Sequence, residues 1–281
     1  VSASPAAKTL SQRLFTWLWR RPRFRREFYN LIGLVYRRTD RWRTMNCGYL
    51  PPHGAALCPA GYDSEQHGYE LYAQLTAGTV LKDRDVLELG SGRGGGASFL
   101  HSTAHPRRLV ALDYAPRTVR WCRKNFARPG LEFVCGDAAH PPFPAASFDV
   151  IVAVEVTHCL HDKPAFLAAA AAVLKKNGRL LIADFFYRRP DSMHALEKFQ
   201  AALAGSAFDV VVEEDWTAGV IAAIEADSAR RAAEIHANVP RPLQKLALGF
   251  TSTTESSTYT ALRAGRTVYR RYTLEKRTAP A

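Results

Sequence analysis

The stretch DVLELGSGRGGG, residues 85–96, runs from an apolar segment into five glycines within seven positions. A short apolar run that stops at glycine reads as a buried strand entering a tight turn. Glycine lets that turn bend sharply and lets a ligand approach the backbone with no Cβ in the way. The spacing Gly90, Gly92, Gly95 also satisfies a GxGxxG pattern, which by itself would suit a dinucleotide, or simply a tight strand-to-helix junction.

Outward from this turn, helix and strand patterns alternate. Residues 94–104 and 116–127 predict helices, the second with Pro116 in its first turn. Residues 107–113, 131–137, 147–155 and 179–186 predict strands, with a helix at 163–174 between the last two. Strands separated by helices imply a mostly parallel sheet with right-handed crossovers, a Rossmann-like α/β fold. Helical patterns return at 191–203 and 214–247. The tail alternates like strand around Ala264-Gly265 and predicts an antiparallel C-terminal hairpin. Before the turn, 65–77 (EQHGYELYAQLTA) reads as a short helix and 46–64 as an irregular, ordered loop rich in Pro and Gly.

Three acids fall at the carboxyl ends of consecutive strands, the edge where open α/β sheets bind ligands. Glu88 lies two residues before the first glycine. A carboxylate there would repel a pyrophosphate and attract an amino group. Asp113 ends the next strand and can accept from both hydroxyls of a ribose. Asp137, between Gly136 and Ala138, can accept from an adenine amine while a neighbouring N–H serves a ring nitrogen. Each acid alone would also serve as a helix N-cap. Together they favour S-adenosylmethionine (SAM) over NAD(P), and a NAD(P)-binding oxidoreductase stays as the second reading.

The segments LELGSGRGGG (87–96), LVALD (109–113), FVCGDAAHPPFPAASFDVIVAVE (133–155) and LKKNGRLLIADF (174–185) resemble the class I SAM-dependent methyltransferases. A narrower resemblance is to bacterial methyltransferases acting on phthiotriol-type lipids and fatty acyl chains, with relatives that methylate terpenoids. Its residues are Asn46, Gly48-Tyr49, HGYELY (67–72), Gly94 to Ser98, Glu155, His158-Cys159 and GRTVYRRYTLEK (265–276). Residues 51–64 and the segment before 45 fall outside it. The resemblance implies that Glu88, Gly90 and Gly92 contact the methionine part of SAM. It places Asp113 at the ribose and Asp137 and Ala138 at the adenine, with Ser91, Tyr114 and Gly136 as further cofactor-binding candidates. Glu155 and His158 would line the junction with the acceptor.

An alcohol acceptor needs a base as its oxygen is methylated. His158 is the candidate, because imidazole titrates near neutrality, and a hydrogen-bonded wall residue is its plainer reading. Tyr49, Tyr69, Tyr72, Phe185 and Phe186 are candidate walls of a greasy acceptor pocket, or ordinary packing. His101, His105, His140, His161, His194 and His236 read as exposed. The expected activity is O-methylation of a hydroxyl on a lipid, polyketide or terpenoid. C-methylation of a prenyl double bond is an alternative, as is SAM binding without catalysis.

The chain of 281 residues is 47% hydrophobic and 23% charged, a composition able to bury a core. Its net charge of +12 is concentrated before residue 45, where ten arginines and Lys8 face only Glu27 and Asp40. Trp17, Trp19, Phe15, Phe24 and Phe28 interleave with those cations, and Pro22 divides the segment into two helices. Such an arm suits an anionic membrane surface or self-association better than nucleic acid. The division expected is an arm at 1–45, a lid of loop and helix at 46–80, and a SAM-binding catalytic domain at 81–281 with cap helices at about 191–247. The five cysteines have no metal or CxxC spacing and read as reduced thiols. No metal is expected. Arginines break the apolar part of VSASPAAKTLSQRLFTWLWRR, unlike a secretory signal. A cytoplasmic enzyme, peripheral to the membrane through its arm, is expected.

Overall fold

The computed structural model describes residues 21–35 and 42–277; the arm helix expected before Pro22 lies outside them. Strands β1 (Asp85–Leu89), β2 (Arg108–Asp113), β3 (Leu131–Cys135), β4 (Phe148–Val154) and β5 (Leu174–Tyr187) pair in parallel in the order β3-β2-β1-β4-β5. β6 (Phe208–Asp215) and β7 (Thr267–Lys276) complete a seven-stranded sheet, with β7 antiparallel to both β5 and β6. Helices α1 (Pro22–Val35), α2 (Gln66–Thr76), α3 (Gly95–Ala104), α4 (Pro116–Phe126), α5 (Lys163–Val173), α6 (Leu196–Ala204), α7 (Thr217–Asn238), α8 (Arg241–Phe250) and α9 (Ser257–Arg263) surround it.

Every residue of β1 is buried, as a strand covered on both faces requires. Strand periodicity sorts the core into two layers. Val86, Leu109, Ala111, Val150, Val152 and Leu181 pack with Leu71 and Leu75 of α2, Phe99 of α3 and Val119 of α4. Leu87, Leu89, Val110, Leu112, Ile151 and Leu180 pack on the opposite face with Phe166 and Leu167 of α5 and Phe199 of α6. Each buried Val, Leu, Ile or Phe among them contributes about 1.5–3 kcal/mol through removal from water.

Two sequence expectations change here. Residues before Ala264-Gly265 form α9 rather than a strand, with Ser256 Oγ accepting from the Tyr259 N–H at 3.1 Å. That local serine cap outweighs the strand-like alternation. The antiparallel partner supplied late in the chain is β7, and it pairs with β6 at 208–215 across the helices. The helical run expected over 214–247 starts after β6 and divides at Pro240, which cannot donate to continue α7.

The irregular segment 42–58 is held by buried carboxylates. Glu65 accepts from the N–H groups of Arg43 (2.5 Å) and Thr44 (2.7 Å) and from the Thr44 hydroxyl (2.6 Å). Glu70 accepts from the N–H groups of Leu57 (2.9 Å) and Cys58 (2.7 Å). On α7, buried Arg231 pairs with Asp227 at 2.6 Å and donates to the Asn46 carbonyl at 3.0 Å. The segment is thus clamped between α2 and α7, directly over the tips of β1 and β4. Among the described residues no helix is long and apolar enough to cross a membrane, and no group of His, Cys, Asp or Glu is placed to hold a metal ion.

Candidate active site

Pairing of Leu89 with Leu112, and of Asp113 with Cys135, sets the carboxyl tips of β1, β2 and β3 side by side. That register brings Glu88, Asp113 and the Gly136–Ala138 turn along one edge. Gly94 caps α3 in the left-handed region at φ 76°, which strongly favours glycine. Gly96 lies against the ring of Tyr72, in space that a Cβ would fill.

The Glu88 side chain is fully buried. Its Oε1 accepts from the Tyr72 hydroxyl at 2.7 Å, while Oε2 has no hydrogen-bond partner. Burial pushes this carboxyl up to about 8, against the Tyr72 hydrogen bond, which lowers it. Ser91 Oγ is also buried without a partner. Asp113 receives the N–H of Gly92 on Oδ2 and of Ala115 on Oδ1, both at 2.8 Å, and burial lifts it to about 6. An unsatisfied buried carboxylate oxygen costs free energy until a donor arrives, and a cationic amino group is such a donor. The residues present therefore fit the methionine end of SAM.

On the adenine side, Ala138 is buried, whereas the Asp137 side chain is about half exposed and accepts the Ala139 N–H at 2.9 Å. Tyr114 is exposed at the rim.

A second group gathers beyond β4. Glu155 adopts φ 49°, a strained conformation for a residue with a Cβ. Its Oε1 accepts from the Cys47 N–H at 2.7 Å and from the Tyr269 hydroxyl at 2.9 Å. Burial raises its carboxyl above the ordinary range. His158 sits in a single helical turn, Thr157–Cys159, with Nδ1 3.1 Å from Oδ1 of fully buried Asp184. Asp184 also accepts from the Thr157 hydroxyl (2.7 Å) and the N–H groups of His158 (3.1 Å) and Phe185 (2.8 Å). Burial alone would raise Asp184, but His158 and these donors win and hold it at about 2. Burial lowers His158, and neighbouring Cys159 and Asp184 more than compensate, so it lies well above the usual imidazole value.

The expected aromatic walls divide. Phe185 stacks on His158 with centroids 4.6 Å apart. Phe186 is a correction: as the next residue of β5 it points to the opposite face, buried 4.8 Å from Phe199 beside Tyr272. Tyr69 is turned into packing against Tyr62 and Phe99, and Tyr72 supports Glu88. Tyr49 stacks on Trp216 at 4.3 Å and lines an open cleft of about 460 Å³ with Pro51, Pro52 and Leu57.

Sequence reasoning missed Asp184, Cys47 and Tyr269. A lone acid inside LLIADFF was a signal for the first; the others meet Glu155 from 108 and 114 residues away. His194, expected to be exposed, is buried instead, its Nε2 donating to the Phe185 carbonyl at 2.5 Å. Burial lowers it to about 3.

A methyltransferase domain family matches residues 87–182. The phthiotriol/phenolphthiotriol dimycocerosates methyltransferase of Mycobacterium leprae is 30% identical over 240 residues, 85% of this chain and 87% of that protein. The chain belongs to this methyltransferase family. A fatty-acid O-methyltransferase of Mycolicibacterium smegmatis is 36% identical to the methyltransferase over 142 residues, 50% of this chain and 52% of that one. The crystal structure of geranyl diphosphate C-methyltransferase from Streptomyces coelicolor A3(2), with S-adenosyl-L-homocysteine, superposes with a TM-score of 0.60 at 14% identity, covering 89% of this chain and 98% of that one. It shares the class I fold. The methyltransferase is a SAM-dependent enzyme, and the oxidoreductase reading falls with that membership.

Proposed function

We propose that this methyltransferase O-methylates a hydroxyl on a hydrophobic lipid-, polyketide- or terpenoid-like small molecule. The observation that carries this reading is the pair of His158 and buried Asp184. An alcohol becomes a competent nucleophile when its proton leaves as the new C–O bond forms. A buried carboxylate on Nδ1 fixes the imidazole so that Nε2 is the nitrogen able to accept that proton.

SAM supplies the methyl group from a cationic sulfonium, so the donor is already activated. The protein's part is to position and to exclude water. Glu88 and Ser91 would hold the methionine amino end, with the backbone of Gly90 and Gly92 beside it. Asp113, with Tyr114 at the rim, would hold the ribose, and Gly136, Asp137 and Ala138 the adenine. Residues 46–80 act as the lid and 191–247 supply the cap; the clamp of Arg231 on Asn46 joins the two. Phe185 and Tyr49 face the acceptor's apolar part. Relatives named for phthiotriol lipids and fatty acids support this acceptor class.

C-methylation of a prenyl double bond is the second reading, favoured by the geranyl diphosphate neighbour and by Glu155 with the Tyr269 hydroxyl. Labelled methyl supplied with matched alcohol and alkene acceptors separates the two. Label in an ether or ester supports O-methylation, and label on carbon alone overturns it. The basic arm is proposed to contact an anionic membrane or a second copy of the chain, in preference to nucleic acid.

A further inference from the structure

We propose that α8, with α1 beside it, forms a face that docks the enzyme onto an anionic lipid bilayer. α8 is apolar on two sides. Inward, Leu248 packs with Val239, Ile235 and Trp42. Outward, Leu243 is 46% exposed, Leu246 57% and Phe250 36%. Positions 243, 246 and 250 recur at the spacing of one helix face, so this is a stripe rather than scattered exposure.

Charge selects the occupant. The helix RPLQKLALGF has exposed Arg241 and Lys245 and no acid. Phe250 meets Phe28 of α1 at 4.7 Å, which joins the two helices. On α1, Leu31 is 50% exposed and Arg23 is exposed. Apolar side chains edged by cations match the boundary between anionic headgroups and acyl chains. The face also adjoins the site. Ser252, two residues past α8, donates to Cys47 Sγ at 3.2 Å, and the Cys47 N–H donates to Glu155. These contacts tie the segment that follows α8 to the catalytic group at Glu155.

The purpose of this surface rests on the lipid-like acceptor; its test does not. The full chain is sedimented with phosphatidylcholine vesicles, plain or carrying roughly a third phosphatidylglycerol. Preference for the anionic vesicles is expected, lost in high salt. The exposed double substitution Leu243→Glu/Leu246→Glu should lower partitioning by about tenfold or more, with thermal unfolding and SAM affinity unchanged. Equal binding by that variant, or no wild-type preference for anionic vesicles, overturns the proposal. So does a dimer in light scattering that the substitutions disperse without vesicle binding, which would make the face a contact between copies. Vesicle binding that persists while every dispersed hydroxyl acceptor fails supports docking and removes only the acceptor assignment.

Discussion

The Tyr72 hydroxyl donates to Glu88 Oε1 at 2.7 Å, linking the helix that covers the site to the carboxylate at the tip of β1. The hydrogen bond stabilises the anionic form of a carboxylate that burial opposes. Tyr72→Phe should therefore weaken SAM binding by about tenfold, the value of one hydrogen bond to a charged group of about 1.4 kcal/mol. Titration calorimetry checks this. An unchanged affinity would reduce Tyr72 to packing over Gly96.

SAM affinity should rise with pH. Glu88, at about 8, and Asp113, at about 6, are held above the ordinary carboxylate range by burial. A cationic ligand favours their ionised forms, so binding expels protons while either is protonated. Affinity should climb between pH 5.5 and 8, and calorimetry in buffers of different ionisation enthalpy should register proton release. A flat profile with no proton release would contradict these assignments.

Stability of the SAM-free enzyme should move the other way. A raised folded-state value means that Glu88 contributes most below its unfolded value near 4.5 and loses that contribution as pH rises through about 8. Glu88→Gln should raise the SAM-free Tm at pH 8 by roughly 2–4 °C per kcal/mol recovered, while lowering SAM affinity. A lower Tm in this variant would show that the charge is compensated.

Turnover should depend on His158 in its neutral form. Cys159 and Asp184 raise its value above that of a free imidazole, so kcat/KM should rise with pH as the ring loses its proton. Asp184→Asn removes the partner charge and should shift that rise to lower pH. His158→Ala should slow turnover by about 10²–10⁴ with little change in SAM affinity. A profile unaffected by Asp184→Asn would detach the pair from the chemistry.

Phe185 and Phe186 should separate cleanly. Phe186→Ala empties a packed site between β5 and α6 and should cost about 3–5 kcal/mol of stability, read by urea unfolding. Phe185→Ala should chiefly raise KM for the acceptor. A matching loss of stability from both would argue against their opposite facing.

Much of the fold was legible locally. The glycine turn, Pro116, and the apolar strands ending at Leu89, Asp113 and Cys135 declare themselves within a few residues, because turn sterics and side-chain periodicity are short-range. β6 was not legible: an edge strand with exposed Val210 and Val211 lacks the buried pattern of a central one. The serine cap of α9 was local but outweighed in reading by alternation.

The sequence by itself determined which chemistry is present: acids at successive strand tips beside a glycine turn, and a histidine after β4. Only the tertiary structure decided which of those groups are buried, paired or left wanting a donor. Asp184 behind His158, Tyr269 and Cys47 on Glu155, and the orphaned oxygen of Glu88 are products of packing between distant segments. Burial and hydrogen-bond satisfaction depend on neighbours in space, and a linear pattern carries only neighbours along the chain.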